Sequence, residues 1–120
     1  MNIISLIRGW WRQVRRRRRI DRIVQIDSMS ELPRRLGNSL FVVGSPPKWA
    51  VLRCPCGCGE RIDVNLMKSK APRWTLELEQ DGASLNPSLW MPADKCESHF
   101  WIRRNRICWA DDSCPTNVQL

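Results

Sequence analysis

Arg53-Cys54-Pro55-Cys56-Gly57-Cys58-Gly59-Glu60 is the stretch that decides how this chain is read. It sets three thiols within five residues. Thiolates hold zinc at about 2.3 Å and must converge on one point. A backbone brings neighbouring residues together that way only by turning sharply. Gly57 and Gly59 permit the positive φ of such a turn, and Pro55 fixes its entry. A tight cysteine-rich loop between two strands has the form of a zinc knuckle. Three cysteines leave a tetrahedral site one ligand short. Cys96 follows Cys58 by thirty-eight residues, at the start of the last predicted hairpin, and a second loop there closes the site. The spacing is not the common paired C-x-x-C form. The competing reading, small buried thiols, is weakened because free cysteines rarely cluster. Cys108 reads as a core residue and Cys114 as incidental.

The 120 residues suffice for one domain, and one small enough to need a cross-link or a metal. The six cysteines are bunched, unlike a disulfide framework. The N-terminus is apolar first and basic afterwards, the reverse of a secretory signal. A cytoplasmic location follows as the expectation, with thiols reduced and clustered cysteines favouring metal. No apolar run reaches the length of a bilayer span.

The net charge of +8 belongs to one end of the chain. Residues 1–22 hold eight arginines against Asp21, a net +7, which leaves +1 for the rest. A near-neutral remainder argues against a nucleic-acid-binding zinc ribbon. Ile3, Ile7, Trp10 and Val14 recur at helical spacing, followed by the run Arg15 to Arg19. The expectation is a basic amphipathic helical extension over residues 1–19. It suits an anionic membrane surface, a partner groove or another polyanion, or else is simply a solvated end.

Residues 20–110 read as the zinc-binding β domain, with a loose tail over 111–120. Arg22 to Asp27, Ser39 to Gly44, Trp49 to Arg53 and Arg61 to Leu66 are strand-like, and Ser28 to Leu36 holds one short helix or turn. Trp74 to Leu85 is a hairpin turning at Asp81-Gly82, and Phe100 to Trp109 is another turning at Arg104-Asn105. The fold class is therefore mainly β: a small zinc-stabilised β domain with one short helix and the basic N-terminal helical extension.

His99 is the only histidine. It is a candidate zinc ligand, a structural ring beside Phe100 and Trp101, or a catalytic base.

Several strings are then met in order: Cys54-Pro-Cys-Gly-Cys-Gly-Glu60, Trp74, Ser84-Leu-Asn-Pro-Ser88, Cys96-Glu-Ser-His-Phe-Trp-Ile102 and Ile107-Cys-Trp-Ala110. This order resembles a family of small bacterial proteins with the pattern C-x-C-G-C-G, W, S-L-x-P-S, C-x-S-H-[YF]-W-I and V-x-W-A. Members of that family are encoded beside ubiquitin-like modifiers and their E1-like and E2-like enzymes. The resemblance covers about residues 39–110. It implies a zinc-stabilised β domain and a peptidase that trims a ubiquitin-like precursor or removes the modifier from its targets. It implies as partners the ubiquitin-like protein or its E1-like and E2-like enzymes. Family members often carry a histidine just before the first cysteine, where this chain has Leu52-Arg53.

Ser88 and His99 both fall within the family pattern. If they meet in space, His99 activates the Ser88 hydroxyl as a nucleophile, which makes a serine-type peptidase. Ser98 is the competing nucleophile, poorly placed as the direct neighbour of His99. Ser88 also has a plain reading as a turn residue after Pro87. Glu60, Asp81 and Asp94 are the candidate orienting acids. A metal-dependent hydrolase is disfavoured, because four thiolates from Cys54, Cys56, Cys58 and Cys96 close the zinc site. The alternative outside enzymes is a non-catalytic zinc module of the same pathway, with Trp49, Trp74, Trp90, Trp101 and Trp109 partly forming its docking surface.

Overall fold

A computed structural model of the chain describes residues 16–92 and 94–111. It is mainly β, in two four-stranded sheets. The first holds β1 (Arg22–Ile26), β2 (Ser39–Val43), β3 (Trp49–Arg53) and β4 (Arg61–Asn65), in that spatial order. The second holds β5 (Thr75–Glu79), β6 (Gly82–Trp90), β7 (His99–Arg103) and β8 (Arg106–Trp109), also in chain order. All neighbours are antiparallel except β1 and β2, which run parallel with Ile23 opposite Leu40. Parallel neighbours need a crossover. It is made by residues 27–38 and includes one 3-10 turn, Met29–Glu31. Ser28 caps that turn, and Glu31 Oε2 accepts the Ser28 N–H at 2.9 Å.

Apolar alternation along the strands builds the core. Leu40, Ala50, Leu52, Ile62 and Val64 of the first sheet share one cluster with Ala83, Leu85, Leu89, Phe100, Ile102, Ile107 and Trp109 of the second. The opposite face of the first sheet is also covered. Phe41, Val43 and Val51 there pack with Met29, Leu32 and Leu36.

Arg104 and Asn105 both have positive φ, at 47° and 65°, as a two-residue turn between antiparallel strands requires. The carbonyl and amide of Ala83 meet Asn105, so this turn is pinned against the start of β6. Gly82 lies beneath it, and a Cβ there would stand 2.7 Å from the Arg104 carbonyl carbon.

Two expectations change. The helical extension expected over residues 1–19 falls, through residue 15, outside the described residues. Arg16 to Arg19 are described and are not helical. They run along β8, with the Arg18 carbonyl accepting from the Ile107 N–H at 2.9 Å and Arg19 bridging Arg106. The Arg17 carbonyl accepts the Trp109 indole N–H at 3.0 Å, and its own N–H reaches the Pro55 carbonyl at 2.8 Å. Backbone pairing holds Arg17 to Arg19 along the sheet, and Arg16 adds an ion pair with Asp111. Second, Cys108 is neither in the core nor reduced: it is half-buried on the face of β8 opposite Ile107 and Trp109, and it is disulfide-bonded. No helix among the described residues is long and apolar enough to cross a membrane.

Candidate active site and metal centre

The knuckle joins β3 to β4. The Cys54 N–H donates to the Glu60 carbonyl at 2.8 Å and the Gly57 N–H to the Cys54 carbonyl at 3.3 Å. Gly57 and Gly59 take positive φ, at 91° and 88°. The loop therefore folds its sulfurs inward, and the Cys58 N–H points at Cys56 Sγ, 3.3 Å away. Cys96 arrives from the loop between β6 and β7, with its sulfur 3.6 Å from Cys54 Sγ. The Cys54 and Cys56 sulfurs are 3.4 Å apart, and all four lie within 4.8 Å of one another. Sulfurs about 2.3 Å from one tetrahedral ion stand about 3.8 Å apart. The cluster thus has the dimensions to hold a metal ion, and its ligands are all sulfur.

The thiols titrate unequally. Burial pushes Cys54 far up, and it pushes Cys58 up to about 11. Burial also acts on Cys96, but hydrogen bonds from the Ser98 hydroxyl and backbone outweigh it and bring that thiol down to about 7. Ser98 is thereby committed to the cysteine cluster; it is buried and immediately precedes β7.

Three residues beyond Cys96 the chain enters β7. Glu97 has a φ of 54° and turns the backbone, so that Cys96 faces the knuckle while His99 stands on the face of the second sheet away from the shared core. Along β6 the pairing with β7 shifts register between Leu85 and Leu89. Pro87 sits in that irregularity, where a residue without an N–H is tolerated in a sheet. The strand continues through Ser88 to Trp90 instead of stopping at the proline. Leu89 and Phe100 pair on the core side, and Trp90 and His99 pair on the other.

Ser88 Oγ and His99 Nε2 lie 2.8 Å apart. That is hydrogen-bond distance, and both groups are half-buried. The Trp74 indole N–H donates to the Ser88 carbonyl at 3.2 Å and so anchors the serine from the start of β5. The imidazole stacks on Trp90 at 4.1 Å between centroids and 8° between planes. Trp101 meets it at 5.0 Å and 34°.

Of the candidate acids, Glu60 pairs with Lys95 at 3.6 Å and Asp81 with Arg104 at 3.4 Å. Asp94 is exposed. Among the described residues none of these carboxylates hydrogen-bonds His99, whose ring contacts are Ser88, Trp90 and Trp101. His99 is also outside the group of four sulfur ligands. Of the tryptophans read as a docking surface, Trp109 is fully buried, whereas Trp90 is 71% exposed.

Trp90 and Trp101 were not read as site residues. Their signal was the period of two: Trp101 lies two residues after His99, and so on the same face of a strand. Trp90 could not be placed opposite His99 without the register across the irregularity at Pro87.

No curated protein and no solved structure matches the chain. The family model described as bacterial ubiquitination-like system serine protease (BubE) matches residues 28–110, which contain every residue of the serine–histidine pair and of the sulfur cluster. The chain belongs to that family.

Proposed function

We propose that this protein is a serine-type peptidase of a bacterial ubiquitination-like system, which trims the C-terminal tail of a ubiquitin-like modifier or releases the modifier from its targets. One observation carries the reading: the 2.8 Å contact between half-buried Ser88 Oγ and His99 Nε2 on the sheet face away from the core. Ser88 is the nucleophile and His99 the base. The Ser88 hydroxyl donates to Nε2, and its proton moves there as Oγ attacks the scissile carbonyl. The resulting imidazolium returns the proton to the leaving amine, and the acyl group stays on Oγ. A water molecule, deprotonated by the same nitrogen, then attacks the acyl carbon; the C–Oγ bond breaks, the acid leaves and Nε2 returns the proton to Oγ. Trp74 fixes the serine backbone during these steps.

Cys54, Cys56, Cys58 and Cys96 would hold a zinc ion, which suits four thiolates in a tetrahedral arrangement. Such a site would be closed and structural. Its four cysteines would tie the knuckle to the loop that delivers His99, and the hydrolytic steps belong to the protein side chains. The partners implied are the ubiquitin-like protein and its E1-like and E2-like enzymes. The chain would act in the cytoplasm, with residues 1–19 as a basic segment suited to an anionic membrane surface or another polyanion.

The test is incubation of the purified protein with the system's ubiquitin-like protein carrying a C-terminal extension, followed by mass spectrometry. Cleavage at one bond is expected. Ser88→Ala and His99→Ala each abolish it while the bound metal and the melting transition are retained. Cleavage that persists in Ser88→Ala eliminates the serine mechanism. Binding of the modifier with no cleavage by the wild-type protein points instead to the non-catalytic module.

A further inference from the structure

A serine–histidine pair makes two demands on the imidazole. The ring must be held in the plane that aims Nε2 at the hydroxyl, and the cation formed on taking the proton must be stabilised. A buried carboxylate meets both demands in a triad. Here Glu60 is engaged with Lys95. Asp81 directly precedes β6, and Ser88 lies seven residues further along the chain in that strand. At about 3.3 Å per residue the gap is roughly 23 Å.

Two indoles stand against the ring instead. Trp90 reaches it across the strand pair, 4.1 Å away and 8° from parallel. Trp101 reaches it along β7, at 5.0 Å. A flat contact on the imidazole fixes its plane. An indole face also attracts a cation, through the negative face of its ring quadrupole. Core packing does not explain where Trp90 lies, since it is 71% exposed and its neighbour Leu89 carries the burial at that end of β6.

We propose that Trp90 and Trp101 are positioning residues that take the place of a triad carboxylate, holding the His99 plane and stabilising the imidazolium. The proposal rests on the serine–histidine reading above.

A small fluorophosphonate tests it without a protein substrate. In the labelling step an Oγ–P bond forms on Ser88, the P–F bond breaks, fluoride leaves and the hydroxyl proton passes to His99. The labelling rate at saturation reports activation of the serine, and the half-saturating concentration reports probe binding. Trp90→Ala is expected to lower the saturating rate on the order of 10²-fold, as a misaligned base does, with little change in half-saturation. Trp90→Phe, which keeps an aromatic face, restores most of the rate. Trp90→Leu, which keeps only apolar bulk, does not. Trp101→Ala acts in the same direction as Trp90→Ala.

His99 is the only histidine, so its ring protons give one unambiguous pair of NMR signals. They are expected upfield in the wild-type protein, under the indole ring currents, and to move downfield in Trp90→Ala. A Trp90→Ala protein with the wild-type saturating rate and weakened half-saturation overturns the proposal, because Trp90 then contacts the substrate instead. So does a Trp90→Leu protein as fast as the wild type. Undiminished labelling of Ser88→Ala is a different failure, that of the serine–histidine reading itself.

Discussion

The two sheets differ in what covers them. β2 is buried at all five positions, since the shared core lies on one face and the crossover around Met29, Leu32 and Leu36 on the other. β7 alternates over its first four residues: Phe100 and Ile102 are fully buried toward the core, and His99 and Trp101 are half-buried on the far face, where Arg103 is buried. The far face of the first sheet is covered over β2 and exposes charged residues, Arg61 and Asp63, at β4. On the far face of the second stand Ser88, Trp90, His99 and Trp101. The sulfur cluster joins the two, drawing three ligands from the end of the first sheet and the fourth from the loop that opens β7. The division is physical. Buried faces supply stability by excluding water, while a hydrolytic site must admit both a peptide and a water molecule.

The largest expected effect is on the joint between the sheets. Chelation, or Cys54→Ser, removes the tie between the knuckle and the Cys96 loop. A domain of this size leans on such a tie, and structural zinc contributes on the order of 10 kcal/mol in small domains. Loss of the cooperative melting transition is expected, together with loss of serine labelling. An unchanged melt after chelation would show that the sheets hold together without the cluster.

Trp74 sharpens the contrast within the second sheet. Trp74→Phe keeps an aromatic ring but removes the indole N–H that donates to the Ser88 carbonyl. A loss of about 1 kcal/mol in urea unfolding is expected, the net worth of one hydrogen bond. The labelling rate should fall as well, with metal content unchanged. A rate equal to wild type would mean that the strand pairing alone positions the serine.

The smallest effect lies at the edge beside β8. The Arg16 guanidinium donates to both carboxylate oxygens of Asp111 at 2.8 Å, and these bonds hold the Asp111 carboxyl below its ordinary 3.8. A carboxyl lowered by folding stabilises fully above its unfolded value and loses that contribution as pH falls through the folded one. Asp111→Asn should therefore cost less than about 1 kcal/mol at neutral pH, because the aspartate is exposed. The difference should vanish in acid. Melting temperatures of the two proteins from pH 7 to pH 2 measure it.

Much of this architecture was legible in the chain. Arg104-Asn105 marks its turn, with both residues at positive φ, while the turn read at Asp81-Gly82 falls one residue earlier, at Gln80-Asp81, because Gly82 already pairs with Glu79. Arg61 to Asn65 alternates, and the clustered cysteines declare a sharp loop. Strand pairing was less legible. The parallel contact of β1 with β2 depends on a crossover whose apolar residues read equally well as a surface turn. The hairpin reads as ending at Leu85, yet the irregularity around Pro87 lets β6 run on to Trp90. Arg16 to Arg19 read as the end of a basic helical extension, because side-chain charge hides a backbone paired with β8. Cys108 read as core because alternation places it within a strand but does not say on which face. In the site, serine and histidine were legible as residue types in a pattern. The two indoles were not, because what they do depends on register.

The central claim is that the face of the second sheet away from the core carries an activated serine. Reaction of the metal-loaded protein with a fluorophosphonate, followed by peptide mapping, tests it most directly. The account predicts a single adduct on Ser88, formed 10²- to 10⁴-fold more slowly in His99→Ala, the usual range for loss of a general base, with metal content unchanged. An adduct on Ser84 or Ser98, or labelling of Ser88 at the same rate without His99, would contradict it.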